Sequence, residues 1–202
     1  MNQLLHHAVL TSFEIMVQLQ TYTTIDFPAA LKCQTLSFLR IQWPGGFIGE
    51  NRLRDWVTKE SDHPIHFVLV EAGILISHTN VVWKYLEHEG MSYKAYGLTG
   101  VFTYPAFRGE GYGSQIIEAG TNYIKQSDAD IAMLYCDDSL HNFYAQHGGI
   151  PMDDSISYID SEAGPVLVED EILMMQFISP KGQQNRISFE RQPIYFGSDS
   201  TW

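Results

Sequence analysis

A glycine-rich turn between residues 108 and 113 has the residue types and spacing that could do chemistry. It reads Arg108, Gly109, Glu110, Gly111, Tyr112 and Gly113. Glycines at alternate positions let successive backbone N–H groups turn toward one ligand. The pattern that follows predicts an amphipathic helix, whose amino terminus adds about half a positive charge. With the guanidinium of Arg108 at its edge, the turn is expected to bind an anion, and a pyrophosphate suits it best.

Other interpretations of this turn have to be compared with an anion site. An ordinary strand-to-helix turn would also explain the glycines. A dinucleotide-binding turn would carry GxGxxG inside a βαβ unit, with an acidic residue about twenty positions later. A nucleotide phosphoryl transferase would close the turn with GK[ST], but Ser114 follows Gly113 and there is no lysine. Neither nucleotide motif is present, so the surrounding sequence has to decide.

Hydrophobic periodicity predicts that a mixed α/β domain positions the turn. Strands are expected at residues 13–22, 66–71, 74–83, 92–104, 131–136, 155–159 and 171–178, and helices at residues 26–43, 50–59, 113–126 and 140–147. Gly97 and Gly100 lie inside the fourth strand, where glycine usually marks a bulge or a close backbone approach. One domain is expected over residues 1–180, followed by a C-terminal extension over residues 181–202.

Composition and charge restrict the partners. The 202 residues are 45% hydrophobic, enough for one folded domain, and the net charge of −12 argues against nucleic acid. No apolar run is long enough to span a membrane. The amino terminus lacks a secretory pattern, and Cys33 and Cys136 are too few for a disulfide framework, so a cytoplasmic location is expected. Two isolated cysteines also argue against a metal site, and a homodimer stays open.

The segment around the turn resembles the GNAT superfamily of N-acetyltransferases, whose phosphate loop reads [QR]xxGx[GA] after a strand and before a helix. Arg108, Gly111 and Gly113 match that loop. The resemblance continues in the strand with LYC at residues 134–136 and the helix with LHNFY at residues 140–144. It implies the acyl-CoA N-acyltransferase fold, an α/β fold with a mixed sheet of about seven strands. Strands four and five would splay apart, and about four helices would flank the sheet.

The same resemblance implies where acetyl-coenzyme A (acetyl-CoA), the co-substrate, would bind. It would enter where the fourth and fifth strands separate, with its pyrophosphate on the turn from Arg108 to Gly113. Its pantetheine arm would pair like an extra strand with Val101, Phe102 and Thr103. A backbone N–H of that edge would point at the thioester carbonyl, and such a donor is typically worth about 2.7 to 4 kcal/mol in the transition state.

The resemblance also gives roles to two residues of the helix after the fifth strand. Tyr144 would protonate the departing thiolate or hold it by a hydrogen bond, and Asn142 would bind the cofactor arm. Both residues have a structural alternative. Tyr144 shares helical spacing with Leu140, Phe143 and His147, which is typical of a buried helix face, and Asn142 could face solvent.

The base that deprotonates the attacking amine is not evident. The chain also shows partial similarity to aminoglycoside 2'-N-acetyltransferases, in GILISH at residues 73–78, in the fourth strand ending at Arg108, and in an acidic terminus that closes on tryptophan. Those enzymes carry a glutamate just before the strand-four glycine, whereas this chain has Thr99 before Gly100. Threonine cannot be the base, although it could hold a relay water. His78 is the replacement candidate because imidazole titrates near neutrality, and its alternative is a hydrogen-bonded core residue.

Acidic residues near the C-terminus, by resemblance, would line a pocket for a cationic acceptor together with the strand-four glycine. This set comprises Gly100, Glu169, Asp170, Glu171, Asp199 and the carboxylate of Trp202. The alternative is a solvated turn and a frayed terminus.

The resulting expectation is an enzyme that moves acetyl from acetyl-CoA to a primary amine of a small, cationic, aminoglycoside-like or polyamine-like acceptor by direct attack. The alternative is a non-catalytic acyl-CoA sensor of the same fold.

Overall fold

The structure is a computed structural model that describes residues 16–161, 164–169 and 171–197. A seven-stranded mixed sheet forms its centre, in the order β1-β2-β3-β4-β5-β9-β6. The strands of this sheet are β1 Gln18–Thr23, β2 Ile65–Glu71, β3 Ile74–His88, β4 Met91–Thr103, β5 Ile131–Cys136, β6 Ile150–Pro151 and β9 Ile172–Phe177. A smaller sheet, ordered β10-β7-β8, contains β7 Ser157–Ser161, β8 Gly164–Leu167 and β10 Ile194–Tyr195.

Helices cover the large sheet and its ends. They are α1 Ala29–Gln42, α2 Tyr112–Lys125, α3 His141–Gln146, α4 Pro180–Gln184 and α5 Arg186–Arg191. The apolar stripe of α2 is buried through Ile116, Ile117 and Ile124. Gly120 allows this close packing, because a Cβ there would lie 2.6 Å from the Cδ2 atom of Leu98 on β4. Helix α2 is therefore fixed against the strand that precedes its own amino-terminal turn.

The sheet splits between β4 and β5. These parallel strands are paired only from Ala95 to Gly97 on β4 and from Ile131 to Met133 on β5. Beyond this point β5 continues to pair with β9 as far as Cys136, while β4 continues along β3 to Thr103. The expected mixed α/β fold, with seven strands and a splay between the fourth and fifth, is confirmed.

A bulge interrupts β4 just beyond the split. His78 pairs with Phe102 and Asn80 pairs with Thr99, so two residues of β4 face one residue of β3. Gly100 is one of these two, and its φ of +58° is strained for other residues. The glycine at this position thus permits the bulge, whereas Gly97 pairs regularly with Val82.

The expected helix over residues 50–59 is wrong. A short 3₁₀ helix covers Gly49–Leu53, and the chain then becomes extended at Arg54. Val57 and Thr58 are buried while their neighbours Trp56 and Lys59 are partly exposed. Residues 54–59 have no helical turn, so tertiary packing overrides the local helix propensity here.

The C-terminal segment packs against the large sheet. Phe189 and Ile194 are fully buried, beside Tyr93 of β4 and Met175 of β9. The short strand β10 pairs in parallel with β7 and so ties residues 194–195 to the hairpin of β7 and β8. The division of the chain into a domain over residues 1–180 and an extension stays a prediction.

Within the described residues, no helix combines the length and the apolar character needed to cross a bilayer.

Candidate functional site

A cleft of about 410 Å³ opens where β4 and β5 separate. One wall comes from β4 and another from the end of β5, while the segment after α1 and the helix α3 close the sides. The side chains that line it include Trp43, Arg54, Trp56, Thr58, Asn80, Thr99, Val101, Tyr135, Asp137, Tyr144 and Glu171. The cleft therefore brings together parts of the chain that are far apart in the sequence.

The turn before α2 has the geometry of an anion site. Gly109 and Gly111 have φ values of +87° and +84°, and a Cβ at either position would meet no atom within 4 Å. Gly111 is the residue before the first turn of α2, and no side chain caps that helix. The first N–H groups of α2 thus lack a side-chain partner, and together with the helix dipole they suit a phosphate group.

The other residues of the turn have different surroundings. Arg108 is exposed, and its Nε donates a hydrogen bond of 3.0 Å to the carbonyl of Thr103, which holds the side chain at the end of β4. Glu110 is exposed. Because its carboxylate is negatively charged, it adds no attraction for a phosphate. Gly113 fits closely against the ring of Phe143, because a Cβ there would lie 3.5 Å from its Cζ. The turn is thus anchored both to β4 and to α3.

The edge of β4 beyond the split is free on the side of β5. From residue 98 to residue 103, β4 pairs with β3 alone among the described strands. An extended ligand could form strand-like hydrogen bonds along this edge. Val101 and Thr103 are partly exposed there, whereas the side chain of Phe102 is buried in the core.

His78 lies behind the bulge and does not line the cleft. Its side chain is fully buried, and its Nδ1 lies 2.8 Å from the carbonyl oxygen of Gly100. A carbonyl only accepts hydrogen bonds, so Nδ1 carries the proton and Nε2 accepts one from Nδ1 of His66 at 3.3 Å. The two histidines therefore form a chain that ends on the bulge of β4.

Burial keeps both imidazoles neutral. It lowers the pKa of His66 to about 3, with a smaller effect of His78, and it lowers the pKa of His78 to about 4 against the opposing hydrogen bond with Gly100. In this arrangement His78 does not reach an amine in the cleft, and its effect is on the position of Gly100. Its assignment as the general base stays a prediction.

Polar side chains form the floor of the cleft near the bulge. Thr58 and Asn80 are buried and hydrogen-bonded to each other, with Nδ2 of Asn80 donating to Oγ1 of Thr58 at 2.9 Å. Thr99, which is opposite Asn80 across the strand pair, is partly exposed and lines the same floor. This group could hold a water but offers no carboxylate.

Tyr144 lines the cleft from α3 and is 7% exposed. Burial raises the pKa of its hydroxyl, and Cys136 and Asp137 add to the effect. Because its pKa is raised, the hydroxyl is protonated. None of the hydrogen bonds among the described residues uses it, so it can donate one to a ligand. Both interpretations of Tyr144 hold together, because the residue is part of a buried helix face and also borders the cleft.

Two of the remaining residues expected at the site are described by the structure, and three are not. Asn142 is exposed on α3, and Glu169 is exposed and does not line the cleft. Asp170, Asp199 and Trp202 lie outside the described residues.

Two carboxylates line the cleft: Glu171, which belongs to the acidic set expected there, and Asp137, which was not among the residues predicted from the sequence. Asp137 follows the last residue of β5, and Glu171 precedes the first residue of β9. Burial raises the pKa of Glu171, and the neighbouring Asp137 adds to this shift. Asp137 could have been found from the sequence, since it directly follows a buried strand.

Three further lining residues, Trp43, Arg54 and Trp56, had no comparable signal. Trp43 directly follows α1, whereas Arg54 and Trp56 lie where the sequence predicted a helix over residues 50–59 that the chain does not form. Among the described residues, no group of three or more histidine, cysteine or acidic side chains is arranged to hold a metal ion.

A splayed mixed sheet, a free strand edge and an uncapped glycine turn define the acyl-CoA N-acyltransferase class. A family model described as an acetyltransferase (GNAT) domain matches residues 18–148. This match covers more than half of the chain, so the chain belongs to the GNAT acetyltransferase family. Members of that family transfer an acyl group from acyl-CoA. A search of curated proteins found no match.

Solved structures agree with this fold. An acyl-CoA N-acyltransferase from Pseudomonas aeruginosa is 15% identical, with a TM-score of 0.54 over 80% of this chain and 99% of that one. Escherichia coli ElaA is 18% identical, with a TM-score of 0.53 over 80% and 99%. An acetyltransferase from Streptococcus agalactiae is 12% identical, with a TM-score of 0.52 over 80% and 98%. At these identities the likeness concerns the fold alone.

Proposed function

We propose that this protein is an N-acetyltransferase that moves acetyl from acetyl-CoA to a primary amine of a small molecule. The observation that carries the proposal is the cleft at the split of the sheet. There the free edge of β4 around Val101 and the side chain of Tyr144 border one space, and the uncapped glycine turn before α2 follows the end of the same strand. An acyl-CoA-dependent reaction also fits the proposed cytoplasmic location.

Each part of acetyl-CoA has a complementary surface. The pyrophosphate would lie on the N–H groups of the turn, between Arg108 and Gly113. The pantetheine arm would run along residues 101–103 of β4, with Asn142 at the exposed rim of α3. The thioester would then reach the bulge at Gly100, where a backbone N–H of the strand would stabilise the oxyanion.

The transfer requires one bond exchange and two proton movements. The amine nitrogen attacks the thioester carbonyl, so a C–N bond forms and the C–S bond breaks. The sulfur leaves with the electron pair, and Tyr144 holds that thiolate by a hydrogen bond or protonates it, in which case a proton from solvent restores the hydroxyl. A lysine-like amine costs about 4.6 kcal/mol to deprotonate at pH 7. A water held near Thr99, or a carboxylate of the cleft such as Glu171, would take its proton.

The acceptor of the expected cationic type would place its amine near the acidic side of the cleft. Aminoglycoside-like and polyamine-like amines belong to this proposal because of the partial sequence similarity. The roles of Glu169, Asp170, Asp199 and Trp202 stay predictions, and a variant lacking the last four residues tests the tail. An increase in the KM of the acceptor supports a role for Asp199 and Trp202, and an unchanged KM argues against one.

The test is the release of free thiol from acetyl-CoA by the purified protein with a panel of primary amines. The proposal expects amine-dependent release and an acetylated product that is detected by mass spectrometry. The double variant Arg108→Ala, Gly111→Ala is expected to lose affinity for CoA in calorimetry. Unchanged affinity would remove the phosphate assignment.

A non-catalytic acyl-CoA sensor is the second candidate, and one observation favours it. By the partial resemblance, Thr99 stands where aminoglycoside 2'-N-acetyltransferases carry a glutamate, and His78 is buried and neutral behind it. A sensor would bind CoA through the same turn but would release no thiol with any amine. The two measurements together separate the two functions.

A further inference from the structure

One end of the cleft carries an arginine with an unusual setting. The guanidinium of Arg54 lies against two aromatic rings, with its Cζ 4.0 Å from the ring centre of Phe47 and 4.6 Å from that of Trp56. Arg54 lines the cleft and is half-buried. Cation–π contacts with two rings restrain the guanidinium at the cleft and leave its N–H groups to find polar partners.

Within the part of the chain that the structure describes, this cation has no anionic partner. Nε of Arg54 is buried and has no hydrogen-bond partner, and no carboxylate of the described residues forms an ion pair with the side chain. Burial lowers the pKa of Arg54, and the positive charge of Arg40 lowers it further. Leaving a half-buried guanidinium without a partner costs free energy of folding. The chain has a net charge of −12, so carboxylates are plentiful, and the lack of one beside Arg54 points to a ligand as the partner.

The cleft carries the opposite charge on the wall formed by β5 and β9. Asp137 and Glu171 lie there, and among the described residues neither forms an ion pair. Burial raises the pKa of Glu171, and repulsion from the neighbouring Asp137 adds to the shift. A bound cation on this wall would relieve that repulsion, just as a bound anion would satisfy Arg54.

We propose that the acceptor is an α-amino acid or a compound with the same two groups, whose amine faces Asp137 and Glu171 while its carboxylate binds Arg54. This inference rests on the proposed acetyl transfer and names the substrate class. A guanidinium matches a carboxylate through two parallel hydrogen bonds, which makes a carboxylate its natural ligand here. Trp43 and Trp56 also line the cleft and offer apolar surface to a side chain of the acceptor.

The experiment compares amines with and without the carboxylate. Tryptamine is paired with tryptophan and cadaverine with lysine, and kcat/KM is measured from thiol release. The proposal expects the carboxylated member of each pair to be preferred by roughly 10- to 100-fold, the range of a charge-assisted pair. Equal rates, or faster transfer to the decarboxylated amine, would overturn it. An amine with a phosphate in place of the carboxylate is added, and its preference over the amino acid would also overturn it.

Variants assign the preference to Arg54. Arg54→Gln is expected to raise the KM of the amino acid, so that the ratio of kcat/KM values within each pair falls close to one. The KM of acetyl-CoA should stay unchanged. Arg54→Lys keeps the charge and should restore part of the ratio. Arg52→Gln is the matched control, because Arg52 is exposed on the adjacent 3₁₀ helix and does not line the cleft. A rise confined to the KM of acetyl-CoA would place Arg54 on the co-substrate and contradict the inference.

Failure of the inference differs from failure of the proposed function. Transfer to amines without a preference for the carboxylate removes this inference and leaves the acetyltransferase intact. Binding of CoA with no thiol release for any acceptor removes both. If Arg54→Gln does not fold, the paired amines with the wild-type protein still decide.

Discussion

The buried pair of His66 and His78 makes a quantitative prediction about stability and pH. Both side chains are at most 1% exposed, and their folded pKa values are about 3 and about 4 against the ordinary value of 6.5. As the pH falls below 6.5, the unfolded chain takes up protons that the folded chain does not. The stability is therefore complete above that pH and is lost as the pH falls toward 4. Between pH 7 and pH 5 each histidine is expected to cost about 2 kcal/mol.

Urea unfolding at pH 7 and at pH 5 measures this loss. The wild-type protein is compared with the double variant His66→Asn, His78→Asn, which has no imidazole at either position. The variant is expected to be less stable at pH 7 but to lose about 3 to 4 kcal/mol less on acidification. His141→Gln removes a partly exposed histidine and serves as the control. If the wild-type protein and the double variant lose equal stability, the histidines are not a neutral buried pair and the account of the β4 bulge fails.

Three predictions concern catalysis and binding. Tyr144→Phe is expected to lower kcat about 100-fold with unchanged CoA affinity. The control Tyr123→Phe on α2 should leave turnover unchanged. If Tyr144→Phe turns over like the wild-type protein, Tyr144 has only a structural role. Gly111→Ala forces a left-handed φ on alanine at a cost of about 1 kcal/mol and should weaken CoA binding in calorimetry at least tenfold, so undiminished affinity would argue against the turn. His78→Ala tests the base through the pH dependence of the rate, because an unaltered acidic limb would eliminate the imidazole from that role.

The local part of the site could be predicted from the sequence. The turn from Arg108 to Gly113 is a continuous segment, and its glycines, the strand before it and the helix after it are all visible in order. The bulge at Gly100 was expected for the same reason, since a glycine inside a strand is a local signal. Tyr144 was assigned through the resemblance, from its place in the helix that follows β5, and its catalytic role stays a prediction.

The rest of the site depends on contacts between distant segments. Arg54 and Trp56 reach the cleft because the chain after α1 is extended, and the sequence favoured a helix there instead. His78 was chosen for its chemistry, but only the packing of β2 against β3 reveals that it is paired with His66. Composition and periodicity carry no information about such partners, so a candidate base cannot be separated from a core residue by sequence alone.

The most direct test of the account is a crystal structure of the protein with bound CoA. The account predicts phosphate oxygens of the pyrophosphate within hydrogen-bond distance of backbone N–H groups between Gly109 and Gly113. It also predicts the pantetheine arm alongside Val101 and Thr103, with its sulfur facing the hydroxyl of Tyr144. CoA bound elsewhere on the protein, or β4 and β5 paired along their whole length with the turn filled by side chains, would contradict it.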